Sequence, residues 1–316
     1  MALKIARSLQ ELGQFAPKQT AVTIGVFDGV HRGHRAILEM LATRRTAGAV
    51  ESAWAMTFHP HPLTVTRSRE MPQVLSTIDE RLELLARAPI DGVFVIPFDD
   101  ATARIEYREF IQRYFLDAMD MRELVIGYDC HFGHKREGSP ERVAEEGKSR
   151  GFAVTIVPPV RVDAEIVSST TIRKTLAAAN LERANHLLGH PYLVRGRVAH
   201  GQGRGRDLGF PTANVAIEEP AKLWPTGGVY AVRVGWRGWI HEGMMNVGRA
   251  PTMKRGHADE IEVHIFDFDH HIYGEEISVW CEAYLRPEQK FPTVTALIHQ
   301  LSEDRRMARE LLASVR

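Results

Sequence analysis

Two histidines three residues apart, His31 and His34, follow a short apolar run and lie among glycines. The segment 25–34, Gly-Val-Phe-Asp-Gly-Val-His-Arg-Gly-His, stands where a strand-like run ends and helical spacing begins. The first turn of a helix presents unpaired N–H groups and a positive dipole end, so it accepts phosphate. Gly29 and Gly33 allow close approach of a bulky anion, and both imidazoles can donate hydrogen bonds to the oxygens of a pentavalent phosphorus. The pattern predicts phosphate chemistry.

A pair of metal-ligating or surface histidines is the alternative interpretation of this segment. A zinc site would need further histidine, cysteine or carboxylate ligands. His59 and His61 are candidates, but each precedes a proline and both follow another strand-like run. A second loop at the same edge of a sheet explains them equally well.

A glycine-rich basic loop, residues 201–206, marks a second region with possible phosphate chemistry. Such a loop offers backbone N–H groups to phosphates, although it lacks the spacing of a standard P-loop. Thr212 and Asn214 follow it, and in an extended chain their hydroxyl and amide reach one magnesium ion. A turn followed by a polar-faced strand is the alternative, and spacing alone favours it.

Glu262 alternates with apolar residues in a strand-like run, opposite the face that carries Ile261, Val263 and Ile265. A half-exposed strand predicts the same alternation. A carboxylate at this position can also act as a general base if its surroundings raise its pKa. The residues alone leave both interpretations open.

The first half of the chain alternates strand-like and helical segments. Predicted strands cover residues 21–27, 53–58, 92–98, 124–127 and 152–157, and predicted helices cover 33–45, 79–88 and 107–119. This alternation predicts an α/β domain with a parallel, Rossmann-like sheet covered on both faces. Ligands of such sheets bind at the carboxyl ends of the strands.

The pattern changes near Leu188. Many short β-like runs separated by Gly, Pro and Asp fill residues 192–285, clearest at 229–234, 261–268 and 277–284, with no good helix between them. They predict an antiparallel barrel or sandwich, closed by a helix over 293–314. A helical stretch over 171–188 precedes the change, so we expect domains at 1–187 and 188–316.

Composition limits the class of protein. The chain has 316 residues, enough for two domains, and its 40 basic and 40 acidic residues balance. This balance gives no support for a nucleic-acid or membrane footprint. Two cysteines form no disulfide framework, and no apolar run resembles a signal peptide or a membrane span. We therefore expect a cytoplasmic protein, and the sequence leaves its oligomeric state open.

Three blocks of the first domain together resemble one family. Residues 25–34 resemble the His-x-Gly-His signature of nucleotidyltransferases, in the form found in prokaryotic bifunctional riboflavin kinase/FAD synthetases. Residues 57–62, Thr-Phe-His-Pro-His-Pro, resemble the second block of that family. Residues 166–173, which contain Ser-Ser-Thr-Thr-Ile-Arg, resemble its Ser-Ser-Thr-x-Ile-Arg block.

The resemblance implies a role for each matched position. His31 and His34 would bind the phosphates of ATP and stabilise charge at the α-phosphorus, and Arg173 would neutralise the departing pyrophosphate. The implied ATP-binding residues are Gly25, Phe27, Asp28, Gly29, Gly33, Ser168, Ser169 and Thr170. The implied flavin-binding residues are Phe58, Pro60, His61, Pro62, Asp129 and Phe132.

One loop departs from the family pattern. Residues 127–133 read Gly-Tyr-Asp-Cys-His-Phe-Gly, whereas the family has Gly-x-Asp-Phe-x-Phe-Gly, often with arginine before the last Phe. Cys130 therefore replaces a large aromatic residue and His131 stands where arginine is common. Cys130 itself is interpreted as a packed thiol, because nothing beside it suggests an activated nucleophile.

The second half resembles riboflavin kinase. Residues 201–214 are similar to Gly-x-Gly-x-Gly-x-x-Leu-Gly-Phe-Pro-Thr-Ala-Asn, and further pieces follow in order up to Gln300 and Asp304. The resemblance implies that Thr212 and Asn214 hold Mg²⁺ with ATP and that Glu262 takes the proton from the ribityl 5′-hydroxyl. The resemblance also implies that Gly201, Gly203, Gly205 and Pro211 bind ATP and that Arg286 and Phe291 bind the flavin.

Two smaller departures occur in this half: Arg249 stands one place early before Pro251-Thr252, and His190 replaces the usual arginine. Neither position carries an implied catalytic role, so we expect retained kinase activity.

The resemblance as a whole implies an enzyme that synthesises flavin cofactors and uses ATP and Mg²⁺. It would phosphorylate riboflavin to FMN and then adenylylate FMN to FAD with release of pyrophosphate. The alternatives are a kinase whose adenylyltransferase half is weakened or inactive, a non-catalytic flavin- or nucleotide-binding regulator, and a nucleotidyltransferase for another phosphorylated substrate.

Overall fold

The computed structural model of the chain describes residues 3–66, 73–201, 204–248 and 260–314. These residues form two compact units. The first comprises Met1–Pro72 and Arg81–Ser169, and the second comprises Gln73–Glu80 and Thr170–Arg316. A short segment from the first half of the chain therefore belongs to the second unit.

A six-stranded sheet in which every neighbouring pair is parallel forms the centre of the first unit, in the order β1-β4-β3-β2-β5-β6. Its strands are β1 (Lys4–Ala6), β2 (Thr20–Ile24), β3 (Ser52–His59), β4 (Gly92–Pro97), β5 (Met121–Gly127) and β6 (Ala153–Val157). The predicted parallel α/β sheet is confirmed. The edge strand β1 was not predicted, because three residues are too short to show alternation.

Helices follow the strands, and a small hairpin ends the unit. The helices are α1 (Leu9–Phe15), α2 (Arg32–Thr46), α3 (Pro62–Thr66), α4 (Ile78–Leu85), α5 (Asp100–Ala103), α6 (Tyr107–Phe110) and α7 (Pro140–Arg150), and the hairpin strands are β7 (Arg161–Val162) and β8 (Glu165–Ile166). The first three residues of α4 belong to the second unit. A 3₁₀ turn covers His134–Arg136. The predicted helix over 107–119 is only partly α-helical, because α6 continues as a π-helix over Ile111–Asp117.

Local signals explain where α7 begins and ends. The side chain of Ser139 accepts a hydrogen bond from the N–H of Arg142, and Pro140 occupies the first helical position. Gly151 ends the helix at φ +81°, a conformation that glycine adopts without strain.

Aromatic side chains fill the core of the first unit. Phe110 packs against Phe115 and Phe132, with both pairs of ring centroids 5.5 Å apart. Trp54 and Phe94 belong to the same buried cluster. The π-helix contributes Ile111, Tyr114 and Phe115 to this cluster.

The second unit is a closed antiparallel barrel in the order β10-β13-β12-β11-β14-β9. Its strands are β9 (Tyr192–Ala199), β10 (Ala213–Ala216), β11 (Gly228–Trp236), β12 (Trp239–Gly248), β13 (Glu260–Ile265) and β14 (Glu276–Arg286). The barrel prediction is confirmed, and the sandwich alternative is wrong because β9 pairs with both β10 and β14 and so closes the sheet.

Four helices accompany the barrel: α8 (Ser169–Ala177), whose first residue belongs to the first unit, α9 (Leu181–Leu188), α10 (Arg204–Asp207) and α11 (Val294–Ser314). The predicted helical stretch over 171–188 is two helices, because Asn180 caps a new helix with a bond from the N–H of Arg183. Among the described residues of 192–285, the four-residue turn α10 departs from the expectation of no good helix there.

A buried ion pair fixes residues 73–80 within the second unit. Lys222 Nζ donates to Glu80 Oε2 at 2.6 Å, to the Leu75 carbonyl at 2.7 Å and to the Leu193 carbonyl at 2.8 Å. Both charged side chains are fully buried. Glu80 Oε1 also accepts from the N–H of Arg195 at 2.8 Å, so the pair connects β9 with the inserted segment.

Within the described ranges, none of the helices has the length and apolar character needed to cross a bilayer.

Candidate active sites

The order of the parallel strands identifies where a ligand can enter the first unit. Starting from β2, the chain builds one side of the sheet through β3 and β4 and the other through β5 and β6. A crevice opens at such a reversal, outside the carboxyl ends of the strands. The loop 25–31 follows β2 and the loop 128–133 follows β5, so both predicted ligand loops lie at this reversal.

His31 and His34 form a stacked pair at the start of α2. Their ring centroids are 3.6 Å apart with planes 15° from parallel. His31 is the N-cap, and its Nδ1 accepts the backbone N–H of His34 at 3.4 Å. The edge of Phe27 meets the ring of His34 at 5.1 Å. The structure therefore brings both histidines together at a helix N-terminus, as the sequence predicts.

The loop before α2 has an unusual backbone. Phe27, Gly29 and Val30 all have positive φ, at 52°, 79° and 41°. Such conformations cost free energy in residues other than glycine and persist where the surroundings enforce them. The carbonyl of Asp28 accepts a hydrogen bond from Ser169 Oγ at 3.0 Å. Two sequence blocks 141 residues apart thus meet at this loop.

Burial lowers the pKa of His34 well below its usual 6.5, and the charges of His31 and Arg81 lower it further. The imidazole of His34 is therefore neutral at neutral pH. Among the described residues, its Nδ1 is buried and has no hydrogen-bond partner. A buried polar atom without a partner is costly, so this nitrogen is suited to contact a ligand.

Arg81 was not predicted as a site residue. It is 4% exposed, and its Nη1 donates to Thr57 Oγ1 at 3.0 Å and to the Phe58 carbonyl at 3.2 Å. Thr57 Oγ1 in turn donates to the Val26 carbonyl at 3.0 Å. The sequence gives no signal for this arrangement, because Arg81 lies in a helical segment with an ordinary charged pattern.

The third predicted block begins α8. Ser169 and Thr170 occupy its first turn, directly after Ser168 and Val167, and Arg173 lies one turn further on. Arg173 Nη2 is 3.5 Å from Thr170 Oγ1. Gly33 approaches the same block, since a Cβ at that position would lie 3.8 Å from the Val167 carbonyl.

The second predicted block follows β3. Phe58 is buried and packs edge-on against Phe98 at 5.3 Å. The His59–Pro60 peptide is cis, and His61 Nδ1 accepts the N–H of Leu63 at 3.1 Å as α3 begins at Pro62. The backbone N–H of Gly25 bonds to the Met56 carbonyl at 3.0 Å. This block therefore lies beside the histidine loop.

The loop after β5 places its residues differently. Asp129 is exposed, whereas Phe132 is 5% exposed and its ring belongs to the aromatic core. Cys130 packs against that core and its Sγ donates to the Ile24 carbonyl at 3.5 Å. Burial raises the pKa of this thiol to about 12. Cys130 is thus a packed thiol, as interpreted from the sequence.

A cavity of about 1000 Å³ lies in the second unit. Its walls include most of the predicted residues of the second half: Gly201, Gly205, Thr212, Asn214, Glu262, Arg286 and Phe291. Pro211 adjoins them in the chain. Gly203, Arg249, Pro251 and Thr252 lie outside the described residues.

Two glycines of the basic loop lie against the candidate magnesium ligands. A Cβ at Gly201 would lie 1.9 Å from Asn214 Nδ2, and a Cβ at Gly205 would lie 2.3 Å from the Phe210 carbonyl and 3.2 Å from Thr212 Oγ1. At Gly205 the nearest atom is a backbone oxygen, so no side chain fits there, whereas a side chain at Gly201 would have to displace the amide of Asn214. Glycine at both positions lets the loop cover Thr212 and Asn214 without displacing them.

Glu262 stands between two asparagines in the barrel wall. The β10–β13 register places it opposite Asn214, and the β12–β13 register places it opposite Asn246. All three side chains line the cavity. Asn246 was not predicted as a site residue, and only the strand register brings it beside Glu262.

Arg286 is held at the cavity wall by α11. Its Nε donates to Asp304 Oδ1 at 2.9 Å and its Nη2 to Asp304 Oδ2 at 2.6 Å, while the carboxylate is fully buried. Gln300 Nε2 donates to the same carboxylate at 2.9 Å. The guanidinium carbon lies 5.8 Å from the ring centroid of Phe291. This two-point ion pair fixes the orientation of the guanidinium.

Two further cavity residues, His264 and Glu288, were not predicted as site residues. His264 is two residues after Glu262, so strand alternation could have placed both on one face. Glu288 lies two residues after Arg286 in a segment without periodicity, and the sequence patterns gave it no role.

The fold and the two sites define a two-unit nucleotide-dependent transferase: a parallel sheet with a histidine pair at its strand reversal, followed by a barrel with its own polar cavity. The family model described as FAD synthetase matches residues 14–171, and the family model described as riboflavin kinase matches residues 188–312.

Curated relatives are similar over nearly the whole chain. A bifunctional riboflavin kinase/FMN adenylyltransferase of Listeria monocytogenes is 36% identical over 295 residues, covering 93% of each chain. The protein of that name from Escherichia coli is 35% identical, covering 98% of this chain and 97% of its own. The chain belongs to the bifunctional riboflavin kinase/FMN adenylyltransferase family.

A solved structure from Streptococcus pneumoniae, titled Macrolide-efflux Protein, has a TM-score of 0.83 at 29% identity. It covers 98% of this chain and 99% of that chain.

Proposed function

We propose that the chain makes FMN from riboflavin and FAD from FMN, using one ATP in each step. The barrel unit transfers the γ-phosphoryl group of ATP to riboflavin. The sheet unit lets the phosphate of FMN attack the α-phosphorus of a second ATP, which releases pyrophosphate. The observation that carries the proposal is that each unit contains its own polar site, in halves that match the two family models.

In the sheet unit, His31 and His34 bind the ATP phosphates and stabilise the charge that develops at the α-phosphorus. The stacked pair, the helix N-terminus and the Nδ1 of His34, which has no hydrogen-bond partner within the described part of the chain, support this assignment. Arg173 neutralises the departing pyrophosphate, with an arginine fork suited to phosphate oxygens. The ATP-binding backbone is the loop of Gly25, Phe27, Asp28, Gly29 and Gly33, together with the block Ser168, Ser169 and Thr170.

The flavin of FMN contacts Phe58 near the end of β3, Pro60, His61 and Pro62 after that strand, and Asp129 after β5. Their position at the carboxyl edge of the sheet supports the assignment. Phe132 acts from within the core, as a support for the loop that carries Asp129. Cys130 occupies the space of an aromatic residue as a neutral, packed thiol.

In the barrel unit, Glu262 takes the proton from the 5′-hydroxyl of riboflavin. Its place on the cavity wall between Asn214 and Asn246 supports this role. Arg286 and Phe291 contact the flavin, and the ion pair with Asp304 fixes the orientation of the Arg286 guanidinium. The glycine loop and Pro211 enclose the ATP.

Thr212 and Asn214 would hold Mg²⁺ together with the phosphates of ATP. Both are neutral oxygen donors on one cavity wall, and hard oxygen ligands suit Mg²⁺, which keeps few protein ligands beside substrate phosphates. The described residues contain no group of three or more His, Cys, Asp or Glu that would form a metal cage. The ion would supply charge neutralisation at the phosphates.

We assign residues 1–187 to adenylylation and 188–316 to phosphorylation, although residues 73–80 pack with the second unit. A cytoplasmic location remains our expectation from the two free cysteines.

The experiment that tests the function is a time course with riboflavin, ATP and Mg²⁺, in which riboflavin, FMN and FAD are separated by chromatography. FMN should appear first and FAD later. FMN without FAD would support the alternative of a weakened adenylyltransferase half, which no comparison favours. If neither FMN nor FAD is formed, the proposed function is contradicted.

A further inference from the structure

We propose that His264 is a positioning residue for ATP binding in the barrel, where it holds the Pro211–Asn214 segment through a hydrogen bond from its Nδ1. The proposal rests on the kinase function proposed for this cavity, in which Thr212 and Asn214 hold Mg·ATP. The sequence patterns gave this histidine no role, and the assignment of Glu262 as the base does not involve it.

The hydrogen bond is well defined. His264 Nδ1 lies 2.8 Å from the carbonyl oxygen of Pro211. A carbonyl can only accept, so Nδ1 carries the hydrogen and the tautomer is fixed. Pro211 directly precedes Thr212, which is followed by strand β10. The bond therefore anchors the chain at the point where it enters the candidate magnesium ligands.

The ring of His264 is also fixed by packing. It is 7% exposed, and it meets Phe210 edge-on at 5.3 Å and Phe266 at 5.6 Å. Phe210 precedes Pro211, so the histidine holds two consecutive residues, one by ring contact and one by hydrogen bond. Little freedom remains for the segment to move away from β13.

The strand register explains why this residue is suited to the task. Ala213 in β10 pairs with Val263 in β13, which places His264 beside the residues that precede β10. Glu262 lies two residues earlier on the same face, and both side chains line the cavity. One strand thus carries the proposed base and the support for the proposed metal ligands.

The surrounding charges favour the neutral ring. Burial is the largest cause that lowers the pKa of His264, and Arg305 and Arg309 lower it further, while the bond to Pro211 and the carboxylate of Asp267 act in the opposite sense. Near neutral pH the ring therefore donates from Nδ1 without adding a charge beside the phosphates.

Three variants separate the hydrogen bond from the packing. In His264→Asn, the side-chain NH₂ group can take the place of the Nδ1–H donor. His264→Phe keeps an aromatic ring but has no donor. In His264→Gln, the NH₂ group takes the place of Nε2, one atom too far from the Pro211 carbonyl.

The measurement is the steady-state kinetics of riboflavin phosphorylation, with adenylylation of supplied FMN as an internal control in the same preparation. We expect His264→Phe and His264→Gln to raise the KM for Mg·ATP roughly tenfold, as a lost hydrogen bond implies. The KM for riboflavin should hardly change, and His264→Asn should stay within about threefold of wild type.

A rise in KM for ATP that is the same in His264→Asn and His264→Phe would overturn the proposal, because the donor would then be irrelevant. Equal increases in the KM for Mg·ATP and the KM for riboflavin would overturn it as well, since they indicate general damage to the barrel. If His264→Phe does not fold, the Asn and Gln pair decides alone. Absence of FMN formation in the wild-type chain would instead refute the proposed function.

Discussion

At the scale of single residues, the two candidate sites differ in their electrostatic surroundings. In the sheet unit, burial and the charges of His31 and Arg81 keep His34 neutral. In the barrel, Glu262 stands between two neutral amides, Asn214 and Asn246. The first site therefore depends mainly on burial, with nearby positive charge acting in the same direction. The second depends on a carboxylate held among neutral hydrogen-bonding groups.

Replacement of Arg81 should change the pH dependence of adenylylation. Arg81→Met removes one charge that lowers the pKa of His34, so this pKa should rise toward 6.5. The acidic limb of kcat/KM for FMN adenylylation should then move to higher pH, since kcat/KM reports groups of the free enzyme. The pH–rate profile checks this, with Arg81→Lys as a control that keeps the charge.

An acidic limb that stays in place in Arg81→Met would show that Arg81 does not set the pKa of His34. The profile for riboflavin phosphorylation should not move in either variant. The lowered pKa of His34 also affects stability: as the pH falls below 6.5, the unfolded chain binds the proton more readily and the folded state loses stability.

Replacement of Glu262 should stop only the first reaction. Glu262→Gln keeps the size of the side chain but removes its basicity, so kcat for riboflavin phosphorylation should fall about 100- to 10,000-fold. Adenylylation of supplied FMN should continue at the wild-type rate. Rapid phosphorylation by this variant in a chromatographic assay would exclude Glu262 as the base.

At the scale of elements, α4 shows how one residue serves both local and tertiary structure. Thr77 Oγ1 accepts the N–H of Glu80 at 3.2 Å, and Glu80 Oε2 accepts the N–H of Thr77 at 2.8 Å. This capping box starts the helix. The same carboxylate receives Lys222 and the N–H of Arg195, so the cap also attaches the segment 73–80 to the barrel strands.

Loss of Lys222 should destabilise the barrel. Lys222→Met leaves Glu80 buried without its cation and removes the donor to two carbonyls, which should lower the free energy of unfolding by about 3 kcal/mol. Denaturant titration followed by tryptophan fluorescence measures this, and Lys148→Met, at an exposed lysine, is the control.

A double variant, Lys222→Met with Glu80→Gln, should lose less stability than the sum of the single variants, because the buried charge is then absent. Burial has the largest influence on the pKa of Glu80 and raises it despite the opposing effect of Lys222. This direction agrees with a free-energy cost of burying the ionised carboxylate. Strict additivity of the two losses would contradict a coupled pair.

At the scale of the whole molecule, each unit contains its own candidate ATP site, and the product of one reaction is the substrate of the other. The two activities should therefore be separable by mutation. His34→Gln should make FMN from riboflavin and no FAD, while Glu262→Gln should make FAD only from supplied FMN.

A mixture of these two variants should regain FAD formation from riboflavin, because FMN released by one chain can be used by the other. Chromatography of flavins over time checks this, with each variant alone as the control. A mixture that accumulates FMN without FAD would show that FMN must pass between sites of one chain.

The sequence by itself predicted the candidate site residues and the fold class of each half of the chain. Motif spacing and the alternation of apolar residues are local properties, so they predicted the histidine pair and the parallel sheet. The role of the Thr212–Asn214 pair was implied only by the family resemblance. Even locally there were limits: the pattern of the 107–119 segment does not distinguish an α-helix from the π-helix at Ile111–Asp117.

Only the tertiary structure decided which residues surround these groups. Arg81 lowers the pKa of His34 although the two residues are 47 positions apart in the chain. Lys222 pairs with Glu80 from 142 positions away. His264 bonds to Pro211 across 53, and the closure of the barrel depends on β9 meeting both β10 and β14. Such contacts depend on how distant segments pack and pair, and no local periodicity records which distant partner a side chain will meet.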